Sequence, residues 1–181
     1  MNEAMVKLAL DCGAARAAAL PAERIVLNDV FRSVCQSNAC GNYGQCYMCP
    51  PDAGEIHALM ETVRAFTGAV LYQTIHDLED SFDYEGMTEA GKRHAAVSQA
   101  LEQALRSLRL PAYLHLSAGG CKVCDVCAKR SSLPCRHPDL AMAGLECYGM
   151  DVYQTAVRAG LQYVNGQNTV TYFGMILLGD A

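Results

Sequence analysis

The sequence lacks two features that would place the chain in a membrane or on nucleic acid. No stretch reaches the run of about eighteen apolar residues that a bilayer-spanning helix needs. There is no basic excess either, because 14 lysines and arginines stand against 19 acidic residues, giving a formal net charge of −5. Membrane insertion is therefore not expected, and general binding to nucleic acid is disfavoured.

Common nucleotide-binding and nucleophile motifs are also missing. The chain contains neither a P-loop pattern nor the glycine fingerprint of dinucleotide-binding folds. Ser117 precedes Ala-Gly-Gly but lacks the flanking glycines of a nucleophile elbow. Four histidines are scattered over predicted helices and strands, where a structural role is the simplest interpretation: His57, His76, His94 and His115. No catalytic group is predicted outside the cysteines.

The N-terminal segment does not have the pattern of a secretion signal. Glu3 comes before any basic residue, and Lys7 and Asp11 interrupt the apolar positions. We interpret residues 3–20 as an amphipathic helix and expect a cytoplasmic protein. Because the cytosol keeps thiols reduced, the ten cysteines indicate metal binding or redox chemistry and not disulfides.

The composition is that of one globular domain over residues 1–181. Hydrophobic residues make up 51% of the chain and charged residues 18%. A chain of this length buries roughly 70% of the surface that its unfolded form exposes. Such a core needs neither metal nor disulfides merely to fold, so the abundance of cysteine indicates a function.

Hydrophobic periodicity predicts a mixture of helices and strands. The predicted helices span residues 3–20, 52–66, 88–109 and 151–159, and the predicted strands span 24–31, 69–76, 112–118 and 169–178. We therefore expect an α/β fold, a single domain with a roughly four-stranded sheet and two βαβ-like halves. Cysteine-rich loops follow strands 1 and 3. Since ligands of open α/β sheets collect beyond strand ends, both loops are expected at one edge of the sheet.

Eight cysteines form two groups of four. The first group is Cys35, Cys40, Cys46 and Cys49, and the second is Cys121, Cys124, Cys127 and Cys135. Four thiolates suit either a cubane [4Fe–4S] cluster or a tetrahedral zinc ion. Three cysteines spaced by two residues, as in the second group, are typical of bacterial ferredoxins, whereas zinc sites more often pair two separate Cys-x2-Cys turns. The spacing therefore favours iron–sulfur.

The spacing leaves the fourth ligand of each group open. In two-cluster ferredoxins, the fourth cysteine of a run binds the other cluster. Cys49 and Cys135 therefore either close their own groups or exchange between them. His137 and Cys147 are further candidates, although a solvated loop histidine is the simpler interpretation of His137. Cys12 is interpreted as a small buried apolar residue.

Positive charge surrounds the second group. Four basic residues flank it, against one acid, Asp125: Lys122, Lys129, Arg130 and Arg136. Beside an anionic cluster, these charges would raise its reduction potential. Two alternatives are that they dock an acidic protein redox partner or that they are ordinary solvated side chains.

Four segments spanning most of the chain carry a family resemblance. They are CGNYGQCYMCPP (40–51), GGCKVCDVCAKRSSLPCRHP (119–138), GMDVYQTA (149–156) and TYFGMILL (171–178). In this order they resemble a family of small prokaryotic predicted metal-binding proteins, DUF2284. The resemblance implies a metal or iron–sulfur site at the eight grouped cysteines, and it implies no reaction. The segment LECYGM departs from the family pattern at Cys147, which raises the question of an extra ligand or a local thiol.

These patterns predict an iron–sulfur protein with one or two [4Fe–4S] clusters, acting in electron transfer or as a redox subunit with a protein partner. A zinc-binding structural or interaction module is one alternative, and a cluster-dependent enzyme with an open iron site is another. A radical enzyme that cleaves S-adenosylmethionine is disfavoured, because the gap between Cys40 and Cys46 is longer than such enzymes use. A thiol metallochaperone needs exposed cysteines that exchange their metal. It is disfavoured because prolines flank the grouped cysteines, which is more typical of a closed site.

Overall fold

The computed structural model describes residues 2–179 and contains five α-helices and four β-strands within them. The helices are α1 (Asn2–Asp11), α2 (Val30–Gln36), α3 (Ile56–Arg64), α4 (Tyr84–Ser107) and α5 (Val152–Arg158). The strands are β1 (Arg16–Pro21), β2 (Gly68–Asp77), β3 (Tyr113–Leu116) and β4 (Thr169–Leu178), and short 3₁₀-helices cover Ala22–Arg24, Ala128–Ser131 and Leu145–Tyr148. None of the described helices is both long and apolar enough to cross a bilayer.

The four strands form one antiparallel sheet in the order β1-β2-β4-β3. β2 and β4 pair along ten residues each, whereas β3 pairs with only the last four residues of β4, beginning with Tyr113 opposite Leu178. Just beyond β3, Ser117 forms an isolated bridge with Gly144. The chain between these two residues contains the second cysteine group, so the end of β3 positions that loop.

Helices cover both faces of the sheet. On one face, α1 and α4 enclose a core made of Met5, Ala9, Ala14, Val70, Tyr72, Leu101, Leu105, Ile176 and Leu178. On the other face, α3, α5 and the 3₁₀-helices Ala22–Arg24 and Leu145–Tyr148 enclose a larger core that includes Leu59, Val63, Leu71, Leu145, Met175 and Leu177. Each fully buried large apolar side chain contributes about 1.5–3 kcal/mol to folding.

A chain of hydrogen bonds crosses the core under α4. The Glu102 carboxylate lies 3.0 Å from His115 Nδ1, and His115 Nε2 lies 2.9 Å from the Tyr72 hydroxyl. That hydroxyl donates to Ser98 Oγ at 2.8 Å, and Ser98 Oγ lies 2.8 Å from Ser117 Oγ. All five residues are buried. Leaving one such group unpaired costs about 1–3 kcal/mol, so the chain of bonds fixes β3 and Ser117 relative to α4.

The structure confirms the α/β class, the single domain, the four-stranded sheet and most of the predicted elements. α3 buries Ile56, Leu59, Met60 and Val63, the apolar positions that recur at helical spacing in the sequence. The cap of α4 is Asp83, whose carboxylate accepts a hydrogen bond from the Gly86 N–H at 2.7 Å. This cap starts the helix four residues before its predicted beginning.

The predicted helix over residues 3–20 is wrong in its second half. α1 ends at Asp11, and Gly13 has a φ of 107°, a conformation that a right-handed helix does not contain. Arg16–Pro21 form β1, in which Ala18 lies opposite Leu71 of β2. Alanine favours helices, but the pairing with β2 overrides that weak preference.

The predicted strand over residues 24–31 is also wrong. Only Leu27 forms a bridge there, to Met150, and α2 starts at Val30, whose N–H donates to Asn28 Oδ1 at 3.0 Å. The first strand is therefore β1, and the first cysteine loop follows it only after α2 has begun. The two halves are not βαβ units, because neighbouring strands run antiparallel and a βαβ unit requires parallel strands.

Candidate metal centre

The two cysteine loops lie against each other beyond the end of β3. Arg130 donates a hydrogen bond to the carbonyl oxygen of Gly41 at 2.8 Å. Gly120 comes so near the first loop that an added Cβ would stand 3.4 Å from Cys49 Sγ. The two loops therefore lie together, as the sequence predicts.

The first pocket is a cavity of about 610 Å³ bounded by α2, α4, β4 and both loops. Four cysteines line it: Cys35, Cys40, Cys49 and Cys147. Other walls come from Tyr84, Met87 and Gly91 of α4, from Tyr172 of β4, and from Lys122 and Glu146. The pocket combines thiols with an aromatic and apolar wall, and its volume is in the range of small-molecule and cofactor sites.

The second pocket is narrow, with about 20 Å³ of free space, and one loop encloses it. Its walls include all four cysteines of the second group, together with Arg136 and His137: Cys121, Cys124, Cys127 and Cys135. The loop consists of turns and the 3₁₀-helix Ala128–Ser131, which ends at Ser132 with a φ of 55°. One short segment therefore presents four thiols to a single space.

Cys46 lines neither pocket and is 3% exposed. The pKa of Cys46 falls to about 5, chiefly because the Cys49 thiol donates a hydrogen bond to it. Burial opposes this, while the backbone N–H groups of Met48 and Cys121 and the thiol of Cys127 add to it. The same hydrogen bond raises the pKa of Cys49. This direction favours the thiolate form of Cys46, the form in which cysteine binds metals.

The other enclosed thiols hold their protons more firmly. Burial raises the pKa of Cys35 and Cys121, and it raises the pKa of Cys147 to about 11. Metal binding at these positions would therefore release protons. All ten cysteines are free, and within residues 2–179 no three Cys, His, Asp or Glu side chains are already grouped around one metal-ion position.

Two basic residues of the second loop hold the loops together. Lys129 forms a salt bridge with Asp52 and lies over the Tyr47 ring, 5.2 Å from its centroid. Arg130 binds the carbonyl of Gly41. The sequence suggested a role in redox potential, in partner docking or in simple solvation. The spacing gave no signal for this structural role, because the partners lie some 80 residues earlier in the chain.

Two residues in the wall of the first pocket had no signal in the sequence. Tyr172 sits where β4 extends past β3, and its hydroxyl donates to the Met87 carbonyl at 2.8 Å. Burial raises the pKa of the Glu146 carboxyl, and the Lys122 side chain lies close enough to lower it in turn. Only the fold brings β4, α4 and the segment after Gly144 to one place.

His94 lies in the core. His94 is 1% exposed, stacks between Tyr72 and Tyr172, and has Nδ1 2.9 Å from Thr74 Oγ1. Burial lowers the pKa of His94 to about 3. His137 differs, because it lines the second pocket beside the cysteines.

One protein family, described as "Predicted metal-binding protein (DUF2284)", matches residues 18–178. The chain belongs to this family. Both cysteine groups and both pockets of the DUF2284 protein fall within the matched residues, and the resemblance seen in the sequence motifs is confirmed. The family description names metal binding and specifies neither the metal nor its ligands.

The DUF2284 chain is also similar to a solved structure of epoxyqueuosine reductase from Bacillus subtilis, in which a catalytic loop is swung out of the active site. The two share 10% sequence identity with a TM-score of 0.42, and the match covers 99% of this chain and 45% of that one. This chain therefore spans less than half of that protein, and a likeness at this level carries no argument about function. No curated protein matches the chain.

The donor set of the DUF2284 protein fits a thiolate-bound metal group. The first pocket combines about 610 Å³ of space with four cysteines in its lining, which suits a cubane cluster. The second pocket presents four cysteines as well, but its 20 Å³ of free space requires the loop to open before a cubane enters. That loop contains no α-helix and no strand, and its one regular element is the short 3₁₀-helix Ala128–Ser131, so it can widen without breaking the sheet or an α-helix.

Proposed function

We propose that this DUF2284 protein is an iron–sulfur protein that holds two [4Fe–4S] clusters and acts in electron transfer or as a redox subunit. One observation carries the proposal. Two sets of free cysteines line two neighbouring pockets: Cys49 and Gly120 border the first pocket, and Cys121, the next residue in the chain, borders the second. The eight cysteines grouped in the sequence are the proposed donors, and the residues that the family match covers include all eight.

The size of the first pocket supports a cluster over a zinc ion. Zinc–sulfur bonds of about 2.3 Å hold the four sulfurs of a tetrahedral site roughly 3.8 Å from one another. The cysteines of the first pocket surround about 610 Å³, which is far more space than one ion fills. A cubane binds its thiolates at four separate iron corners and therefore suits a wider arrangement.

A bound cluster would supply reversible one-electron transfer. The chain contributes the thiolates, the enclosure and the local charge. Lys122 stands in the wall of the first pocket, and its positive charge favours the more negative, reduced state of a centre there. The closeness of the two pockets at Gly120 suits the passage of an electron from one to the other.

The second pocket is the proposed docking side for a protein redox partner. Val126 and Leu133 of its loop are each 56% exposed, although both are apolar. Arg136, which lines the same pocket, donates to the Val126 carbonyl at 3.3 Å. An apolar contact beside a positive charge is the kind of surface on which a partner with a matching acidic rim docks.

A cluster-dependent enzyme is the second candidate, favoured by the open volume of the first pocket. The aromatic and apolar wall formed by Tyr84, Met87 and Tyr172 offers space for a small molecule beside the cysteines. A substrate bound there would have to leave room for the cluster, and its binding would change the spectrum of the cluster. No such change is expected of a pure electron carrier.

Anaerobic purification followed by iron, acid-labile sulfide and zinc analysis tests the proposal. We expect about eight iron atoms and about eight sulfides per chain, with visible absorption that a strong reductant bleaches. A colourless protein with stoichiometric zinc and no sulfide would contradict the proposal and establish the zinc-binding module instead.

A further inference from the structure

We propose that Cys147 is a metal ligand, which completes a four-thiolate site in the first pocket with Cys35, Cys40 and Cys49. This inference rests on the proposed function and changes its ligand assignment. It exchanges one cysteine of the first group for a cysteine about a hundred positions later in the chain.

The lining of the first pocket is the first argument. Cys147 faces the same cavity as Cys35, Cys40 and Cys49, whereas Cys46 does not line it. Cys147 is 5% exposed, so its thiol is enclosed between the core and the pocket and is not directed to solvent. A buried cysteine that only fills space needs no cavity beside it, and this one borders about 610 Å³.

Arg32 is the second argument, because it ties together the three segments that carry these thiols. It lies one turn before Cys35 on α2. Its Nη1 donates to the Gly54 carbonyl at 2.9 Å, just after the Cys49 turn, and its Nη2 donates to the Cys147 carbonyl at 3.5 Å. One guanidinium therefore holds the backbone of both loop segments against the helix that carries Cys35.

The backbone around Cys147 is also well fixed. Its N–H donates to the Gly144 carbonyl at 3.1 Å within the 3₁₀-helix Leu145–Tyr148. Gly149 ends that helix with a φ of 73°, and an added Cβ there would stand 3.2 Å from both Asn28 O and Met60 Cγ. The position of the thiol is set before any metal arrives, which is the condition for a preformed ligand.

The position of Cys46 is the third argument. Cys46 is 3% exposed and lines neither the first pocket nor the second. In two-cluster ferredoxins a cysteine of one run binds the cluster of the other. In a comparable way, Cys147 comes from outside the first group and supplies the fourth thiolate that Cys46 does not supply.

The test counts metal and sulfide in full-length protein purified without oxygen, using Cys147→Ser, Cys35→Ser, Cys121→Ser and Cys12→Ser. Cys12→Ser is the matched control, because Cys12 packs against the opposite core, under α1. We expect Cys147→Ser to lose about half of the iron and sulfide, and Cys12→Ser to lose none. The double variant Cys35→Ser/Cys147→Ser should lose no more than Cys35→Ser alone, whereas Cys121→Ser/Cys147→Ser should lose nearly all.

Other outcomes overturn the inference. Full metal content in Cys147→Ser would show that Cys147 is no ligand. Metal loss accompanied by a lower melting temperature of the metal-free variant, relative to metal-free wild type, would assign Cys147 to the core alone. Additive losses in Cys35→Ser/Cys147→Ser would place the two thiols in different centres. If wild type contains zinc and no iron, the proposed function fails, but the same panel counted in zinc still tests Cys147.

Discussion

The two pockets differ in what builds them. Helices α2 and α4, strand β4 and the 3₁₀-helix Leu145–Tyr148 wall the first pocket, and several of these elements belong to the two cores. One loop of turns encloses the second pocket and is tied to its neighbour by Lys129 and Arg130. Metal binding in the first pocket should therefore depend on the stability of the domain. Metal binding in the second pocket should depend on the contacts between the two loops.

The largest effect is expected where the two pockets share support, at Gly144. A Cβ there would stand 2.3 Å from the Gly119 carbonyl oxygen, so Gly144→Ala must push the strand end and the second loop apart. We expect the free energy of unfolding to fall by about 3 kcal/mol and both pockets to lose metal. Urea unfolding and metal analysis measure this.

Gly91→Ala is the control for that variant. Gly91 lies inside α4 and lines only the first pocket, and an added Cβ would meet the Tyr172 hydroxyl oxygen at an ordinary 3.4 Å. Alanine should raise the stability of the helix by about 0.5–1 kcal/mol. Equal stabilities of Gly144→Ala and wild type would show that the two pockets do not share this support.

Acid should weaken the scaffold of the first pocket through His94. Its pKa is lowered from 6.5 to about 3, chiefly by burial and then by the charges of Lys122, His76 and His115. Below pH 6.5 the unfolded chain therefore binds a proton that the folded chain refuses, so stability falls as the pH falls. Between pH 6.5 and about pH 5 this amounts to about 2 kcal/mol.

Urea midpoints across this pH range check the effect, with His94→Gln as the comparison. Glutamine does not titrate, so the variant should be less stable at pH 7 but should lose less stability on acidification. The Glu102 carboxylate acts later. Burial opposes its charge, yet hydrogen bonds from His115, Arg106 and Tyr113 lower its pKa to about 2, so its contribution is lost only as the pH falls from about 4.5 toward 2. Parallel acid profiles of His94→Gln and wild type would contradict the assignment.

Arg32→Met should affect the first pocket and leave the second unchanged. It removes the hydrogen bonds to Gly54 and Cys147 but keeps much of the apolar stem of the side chain. We expect a loss of about 1.5 kcal/mol and metal loss from the first pocket only. Arg64→Met, which removes an exposed pair with Glu61, should change neither quantity. Equal metal loss from both pockets would show that the hydrogen bonds of Arg32 do not support the first pocket alone.

The smallest effect is expected for the contacts of Lys129 beside the second pocket. Lys129→Ala removes a partly shielded ion pair with Asp52 and a contact with the Tyr47 ring. We expect the melting temperature to fall by at most about 2 °C, while the affinity of the second pocket for metal falls measurably. A double-mutant cycle with Asp52→Ala measures the coupling energy between Lys129 and Asp52. A coupling energy of zero would show that this ion pair does not support the second pocket.

Periodicity and turn residues in the sequence predict much of the fold. The buried stripe from Ile56 to Val63 and the long apolar runs of β2 and β4 each specify an element by local pattern alone. The alanines of β1 could not be assigned in this way, because their helix preference is overridden by pairing with β2 about 50 residues later. The strand predicted over residues 24–31 was wrong for a related reason, since Ile25 and Leu27 pack in the core without forming a strand of the sheet.

The candidate site was predictable in composition and not in arrangement. Spacing groups the eight cysteines, and their role as ligands remains a prediction. Spacing does not show which thiols border a pocket, so the place of Cys147 in the lining of the first pocket and the absence of Cys46 from both linings emerge only from the fold. The contribution of Arg32 was equally hidden, because its partners are backbone carbonyls that any residue supplies.

The buried chain of hydrogen bonds from Glu102 to Ser117 fixes the position of the second cysteine loop along the sheet. Apolar contacts alone would tolerate β3 sliding by two residues along β4, since the same side chains would still face inward. Such a slide would carry the second loop about 6.8 Å away from Cys46 and leave the Tyr72 hydroxyl without His115. A carboxylate on α4, remote in sequence from the thiols, thus sets the distance between them.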